Sequence, residues 1–253
     1  MEPRFGRLYA RAVLRPLAEQ VVALLGVQAG EAACDLICDT GVGGVALGSA
    51  VGTHGHVMLV DTETALLGGA ARDVSDTGCG ASTLLADGGA IPLGHASCDR
   101  LASLCTYGFW DGESLLDAAR RATRPGGRAG VLTWDASEPP MHEVALLDAL
   151  RAVTGIDSLF LARALAGPYP VQATHWEAVT LNDVVRFDGI ADYWAAMVVE
   201  RPIAAELTDT SEPALREGRA MCQRALERCT AADGTMRIPV RATLWCTTGS
   251  TAG

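Results

Sequence analysis

The chain contains no lysine: all 20 of its basic residues are arginine. That absence excludes Schiff-base chemistry and any lysine general base, because a guanidinium stays protonated and offers no free amine. Positive charge is also short overall, with 30 acidic residues giving a formal net charge of −10. One modest basic cluster, Arg120, Arg121, Arg124 and Arg128, stands out. An acidic chain without a larger basic patch repels nucleic acid, so a small-molecule partner is expected and nucleic acid is not. Missing too is any apolar run near the roughly 20 residues that span a bilayer, so no membrane partner is expected. The N-terminal Met1-Glu-Pro-Arg-Phe-Gly-Arg stretch lacks an apolar signal core, and a cytoplasmic location is expected. None of the eight cysteines forms a Cys-x-x-Cys pair. They read as small buried hydrophobes in a reducing compartment, not as a disulfide framework or a metal site.

What the chain does have is apolar content, 49% over 253 residues, enough to bury the core of one large α/β domain over 1–253. Helical spacing runs from about Arg4 to Leu25 with Pro16 as a break between two helices. Strand and helix patterns then alternate. Strands are expected at Ala32–Cys38, Val57–Val60, Thr83–Ala86, Leu101–Cys105 and Ala129–Trp134, and helices at Gly44–Val51, Thr64–Arg72 and Glu113–Thr123. Asp73–Ala81 reads as a loop, and Pro125-Gly126-Gly127 as a turn. Such alternation predicts a Rossmann-like, seven-stranded, mostly parallel sheet with helices on both faces. After Pro139-Pro140 the rhythm changes. Met141–Val153 is amphipathic and Thr174–Phe187 extended, Ile190–Leu207 and Glu212–Cys229 are helical, and Met236–Cys246 is a closing strand. The expected organisation is N-terminal helices over 1–30, a cofactor-binding core over 31–135, and substrate-facing helices with closing strands over 136–253. The C-terminal half then holds a helical insertion between its two strands.

Glu31-Ala-Ala-Cys-Asp-Leu-Ile-Cys-Asp-Thr-Gly-Val-Gly-Gly44 is a buried strand entering a glycine turn that opens a helix. His56-Val-Met-Leu-Val-Asp61 is a second apolar strand ending in a carboxylate. A glycine turn lets the backbone approach a ligand, and a carboxylate about 20 residues on suits two ribose hydroxyls. Further along come Asp87-Gly-Gly-Ala-Ile-Pro92-Leu93, Arg121-Ala-Thr-Arg-Pro-Gly-Gly127-Arg128 and Gly130-Val-Leu-Thr-Trp134. In this order and spacing the motifs resemble the class I S-adenosylmethionine-dependent methyltransferases of the small-molecule kind, over roughly residues 7 to 135. The resemblance implies methyl transfer from S-adenosylmethionine. It implies that Asp61, with Thr62 beside it, holds the ribose hydroxyls, that Asp87 accepts from the adenine amino group, and that the Gly88 backbone meets the ring. The methionine portion would lie along Asp35, Cys38 and Gly41 and near Cys105 and Thr106, with Tyr9 closing over the cofactor.

The chain departs from the family at two positions. Where a Gly-x-Gly-x-Gly turn is usual, Asp35-Leu-Ile-Cys-Asp-Thr-Gly41 keeps the last glycine alone, with Ile37 and Asp39 in place of the others. Either the turn tolerates these side chains, or the fold serves a reaction other than methylation, such as a cyclisation, or a regulatory role. Gly41-Val-Gly43-Gly-Val-Ala46 also satisfies the Gly-x-Gly-x-x-Ala form of the dinucleotide fingerprint, which leaves a nicotinamide-dependent oxidoreductase as a third reading. Of the five histidines, His54 and His56 lie at the wrong end of the second strand and His95 in a loop. His175 begins the late extended segment, while His142 follows the fifth strand on the ligand side. His142 is the candidate general base. Tyr107, Phe109 and Trp110, with Trp134, Trp176 and Trp194, are candidate walls of a substrate site or core residues.

Overall fold

The computed structural model describes residues 6–86, 91–167 and 174–249, with Phe109 described by its backbone alone. Seven strands form one sheet in the order β3-β2-β1-β4-β5-β7-β6. They are β1 (Ala32–Leu36), β2 (His56–Asp61), β3 (Gly80–Leu85), β4 (Cys98–Leu104), β5 (Thr123–Trp134), β6 (Glu177–Phe187) and β7 (Met236–Thr248). The first five pair in parallel, and β7 enters antiparallel between β5 and β6. The expected Rossmann-like α/β architecture is therefore present, and the order reverses between β1 and β4, the switch point beyond whose strand tips such sheets bind ligands.

The inner parallel strands β1, β2, β4 and β5 are largely buried, whereas the edge strand β3 is not, and the inner side chains divide between two apolar clusters. Ala33, Ala102, Leu132 and Trp134 join the larger cluster, with α2 (Arg15–Leu25), α3 (Val42–Val51) and α4 (Thr64–Ser75). Cys34, Leu36, Leu101, Ala129 and Val131 join the other, beneath α5 (Gly112–Ala122). This near-strict alternation of neighbouring residues is the period of two that a sheet imposes. The larger cluster continues into α6 (Met141–Thr154) and α7 (Leu159–Ala164), and then into α8 (Ile190–Trp194), α9 (Ile203–Glu206) and α10 (Glu212–Ala225), which fill the β6–β7 connection. All eight cysteines are free, and all but Cys229 are buried.

Three local expectations are corrected. Pro16 does not break the N-terminal helix: α1 (Arg7–Tyr9) runs through a π-turn (Ala10–Leu14) directly into α2, with Pro16 in its first turn. The Arg15 N–H already reaches back five residues to the Ala10 carbonyl, so the N–H that Pro16 lacks falls where π-type bonding changes to α-type bonding. Asp73–Ala81 is not one loop, because α4 continues to Ser75 and β3 begins at Gly80. Pro125-Gly126-Gly127 lies within β5 as an irregularity: the register jumps from Cys98↔Thr123 to Arg100↔Arg128, with Gly126 at φ 81°. The strand bulges there, which glycine permits.

Candidate functional site

At the tip of β1 the backbone follows a glycine path without the glycines. Ile37 and Asp39 sit at φ 58° and 48°, in the left-handed region that L side chains seldom occupy. Ile37 is 2% exposed and belongs to the cluster under α5, so its side chain has a packed place in the core. Gly41, at φ 78°, caps α3, and a Cβ on it would lie 2.5 Å from the Ala70 Cβ. Gly43 and Gly44 are required by packing. A Cβ at Gly43 would meet the Asp35 carboxylate at 2.7 Å, and one at Gly44 the Leu59 side chain at 2.5 Å. The Gly44 N–H donates to Asp35 Oδ2 at 2.6 Å, so Asp35 serves the first turn of α3 from beneath. Burial, against that bond and aided by Asp61 and Asp39, raises the Asp35 pKa to about 8. Cys38 packs into the larger cluster and closes the turn by accepting from the Gly41 N–H.

Asp61 at the tip of β2 is fully buried. Its Oδ2 accepts from the Asp39 N–H at 2.8 Å and its Oδ1 from the Thr62 N–H at 2.7 Å. Two main-chain donors thus fix the orientation of a carboxylate that offers about four acceptor sites. That arrangement suits a vicinal diol at the strand tip. Asp87 and Gly88, expected beside it, lie outside the described residues. Arg121 on α5 donates through its guanidinium to the carbonyls of Leu93 and, at 3.3 Å, Ile91. The arginine of the Arg-x-x-Pro-Gly-Gly element therefore holds the Ile91–Leu93 segment, while Arg124 ion-pairs with Asp99 at 2.9 Å.

A second group of side chains meets beyond β4 and β5. Cys105 ends β4 at φ 54°, and its thiol pKa is pushed well up by burial. Thr106 is buried and shares a 2.6 Å hydrogen bond with Ser103. Trp134 at the tip of β5 is 1% exposed, and its indole meets the His142 ring edge-on at 5.4 Å. Alone among the five histidines, His142 is buried. Burial, opposed by the Glu143 charge and reinforced by the Arg201 charge, lowers its pKa to about 4. Both ring nitrogens of His142 and the Trp134 Nε1 are buried without a hydrogen-bond partner among the described residues.

Tyr9, expected to close over a cofactor, is wholly buried, and its hydroxyl donates to Glu143 Oε1 at 2.7 Å. Arg201 donates to Glu143 Oε2 at 3.0 Å and stacks over the Tyr9 and Phe160 rings at 4.4 and 4.7 Å. Burial favours the neutral Glu143, but Arg201, His142 and the two hydrogen bonds win and hold its carboxyl below the usual range. Sequence reasoning missed Glu143 and Arg201. Nothing local distinguishes them; the one available signal was a charge among apolar neighbours on the amphipathic helix after Pro140. Tyr193 completes the frame, its hydroxyl donating to the His142 carbonyl at 2.6 Å. Of the expected walls, Tyr107 packs in the cluster under α5 with Trp110 and Trp176 against it, and Trp194 packs against the larger cluster. His175 is exposed and lends its carbonyl to Thr247. No group of three or more His, Cys, Asp or Glu residues is placed to hold a metal ion among the described residues. No helix among them is long and apolar enough to cross a membrane.

Residues 15–151 match the ubiE/COQ5 methyltransferase family, just over half of the chain. No curated protein matches in sequence. Among solved structures, one described as a methyltransferase from an antibiotic biosynthesis pathway of Anabaena variabilis is similar at TM-score 0.60. It shares 14% identity over 92% of this chain and 96% of that one. A type II methyltransferase from Anaeromyxobacter dehalogenans is similar at TM-score 0.57, with 16% identity over 98% of each chain. The [4+2]-cyclase SpnF is similar at TM-score 0.51, with 14% identity over 99% of this chain and 89% of that one. The antiparallel β7 between β5 and β6 departs from the parallel strand order of dinucleotide-binding sheets. The chain belongs to the ubiE/COQ5 methyltransferase family and has the class I S-adenosylmethionine-dependent methyltransferase fold.

Proposed function

We propose that the protein transfers the methyl group of S-adenosylmethionine to a polar atom of a small molecule lodged against Trp134 and His142. The observation that carries this reading is the set of three buried ring nitrogens without partners at the β5 tip. Leaving a buried donor or acceptor unsatisfied costs about 1–3 kcal/mol each, which a bound acceptor with a hydroxyl or ring nitrogen would recover.

The residues at the other strand tips fit the cofactor's chemistry. Asp61 would take the ribose hydroxyls, with Thr62 holding the carboxylate in place. The left-handed backbone of Ile37, Asp39 and Gly41 keeps the path that brings main chain to the ligand, with Asp35 supporting it through Gly44. Bound there, the sulfonium supplies an activated methyl group, so most of the catalysis is alignment. Tyr193 and Trp134 hold the His142 ring and backbone, and burial keeps the imidazole neutral through the physiological range. A base of pKa about 4 takes a proton only as the acceptor oxygen gains positive charge in the transition state. His142 is thus suited to collect a proton late in the step, with Glu143 beside it to offset the imidazolium charge.

A second reading, the fold used without methylation, draws on Ile37 and Asp39 at the turn and on the likeness to a cyclase. Calorimetric titration separates the two. Submillimolar binding of S-adenosylmethionine and S-adenosylhomocysteine, weakened about 10- to 100-fold by Asp61→Ala through loss of charge-assisted hydrogen bonds, is expected. Unaltered binding in that variant, or none at millimolar ligand, sinks the proposal.

A further inference from the structure

A groove of about 730 Å³ lies on the outer side of α3, and Asp61, Trp134 and His142 are not among its lining residues. Its rim is an arginine row, Arg7, Arg11 and Arg15, on the α1–π-turn–α2 segment. A spacing of four overshoots an α-turn of 3.6 residues by about 40°. The wider π-turn over Ala10–Leu14, closed by the Arg15 N–H on the Ala10 carbonyl, takes some of that overshoot back, and all three arginines line the groove. Arg15 is paired with Glu19 at 3.3 Å, an exposed pair. Arg7 and Arg11 have no ion-pair partner among the described residues, although the chain carries a net charge of −10. The floor is apolar, made by Val42, Val45, Ala46 and Ala50 of α3 with Val22 of α2. Glu19, Asp73, Ser49, Thr40 and Ala10 complete the lining. The Thr40 Oγ1 is buried without a partner among the described residues, at the start of the glycine turn.

We propose that this groove binds a small soluble amphipathic organic anion, its carboxylate or phosphate held by Arg7 and Arg11 and its apolar body lying along the outer face of α3. Of the two lining carboxylates Glu19 is matched by Arg15 and Asp73 is not, so two cations and one carboxylate lack an ion pair among the described residues and the net free charge is positive. Guanidinium forks suit planar or tetrahedral oxyanions. An apolar floor of small β-branched and alanine side chains suits an alkyl or aryl body. Thr40 directly precedes Gly41, so an occupant would also touch the turn that serves the strand-tip site.

The proposal stands independently of the methyl-transfer reading. Octyl phosphate is titrated into the full-length protein by calorimetry, with and without saturating S-adenosylhomocysteine. Binding is expected in both conditions and is weakened at least about tenfold when Arg7 and Arg11, both exposed, are changed together to alanine, because two charge-assisted contacts are lost. Val45→Trp, which fills the floor, should abolish it, with folding checked by circular dichroism. Octyltrimethylammonium and inorganic phosphate should each bind more weakly. The idea fails if octyl phosphate does not bind at millimolar concentration, or if S-adenosylhomocysteine displaces it. It fails equally if the double variant binds as the parent does, or if either control ligand binds as tightly.

Discussion

The Tyr9 hydroxyl donates to Glu143 Oε1 at 2.7 Å, joining the N-terminal helix to the helix after β5 across 134 positions of sequence. Arg201, from the β6–β7 insertion, takes the other oxygen of the same carboxylate. Three segments remote in sequence are thereby held together over the strand tips by one buried charge. Glu200 adds a second tie from the insertion, accepting from the Leu8 N–H at 2.7 Å.

Removing the two donors should have unequal consequences. Tyr9→Phe takes away one neutral donor and is expected to cost about 1–2 kcal/mol. Arg201→Met leaves Glu143 charged, buried and without its counter-ion, and should cost about 3–5 kcal/mol. Urea denaturation of the two variants reads the difference. Equal losses would mean that Arg201 matters through packing alone.

The two left-handed residues of the turn separate strain from packing. Asp39→Gly removes an L side chain from φ 48° and a buried carboxylate beside Asp35, and should stabilise the fold by about 1 kcal/mol. Ile37→Gly relieves similar strain but empties a packed site, where losing a large aliphatic side chain costs about 2–5 kcal/mol, so it should destabilise. Thermal melts of the pair give the signs. A stabilised Ile37→Gly variant would show that the isoleucine is not seated in the core.

Asp35 and His142 titrate in opposite senses with respect to stability. The folded Asp35 pKa of about 8 lies above its ordinary 3.8, so the folded state holds the extra proton between those values. Stability from that group is complete below about pH 3.8 and is lost as pH rises toward 8. The folded His142 pKa of about 4 lies below 6.5, so its contribution is complete above pH 6.5 and is lost as pH falls toward 4. Between pH 4 and 6.5 the two slopes oppose each other. Between 6.5 and 8 Asp35 acts alone, with a slope of at most about 1.4 kcal/mol per pH unit. Asp35→Asn keeps an acceptor for the Gly44 N–H and should flatten the stability profile from pH 6.5 to 8. A profile still falling in that variant would assign the slope to another group.

His142→Gln tests the proton-collecting role. With an acceptor that carries a high-pKa proton, turnover is expected to fall by about 10²–10⁴ while S-adenosylhomocysteine affinity stays unchanged. Single-turnover kinetics beside calorimetry provide both readings. Full activity would reduce His142 to a lining residue.

Much of this molecule was legible one residue at a time. The parallel core followed from the alternation of apolar runs with helical spacing, since strands buried on both faces and helices buried on one leave distinct periods. The turn, Asp61 and the Arg121 element were legible because their work is done within a few residues or by a main-chain contact that a motif preserves. Pro16 misled because a π-turn, set by packing against the sheet and the C-terminal insertion, absorbed the proline that would stop an isolated helix. Glu143 and Arg201 carry no local mark. Their charges become intelligible only when three distant segments close over them and exclude water, so that pairing outweighs desolvation. The sequence by itself determined the order of strands and helices and the carboxylates at their tips, because those depend on periodicity and on neighbours in the chain. The tertiary structure alone decided that Tyr9 serves a buried ion pair, that His142 is neutral, and that three arginines line a groove. Burial and long-range electrostatics belong to the folded surface and not to any stretch of sequence.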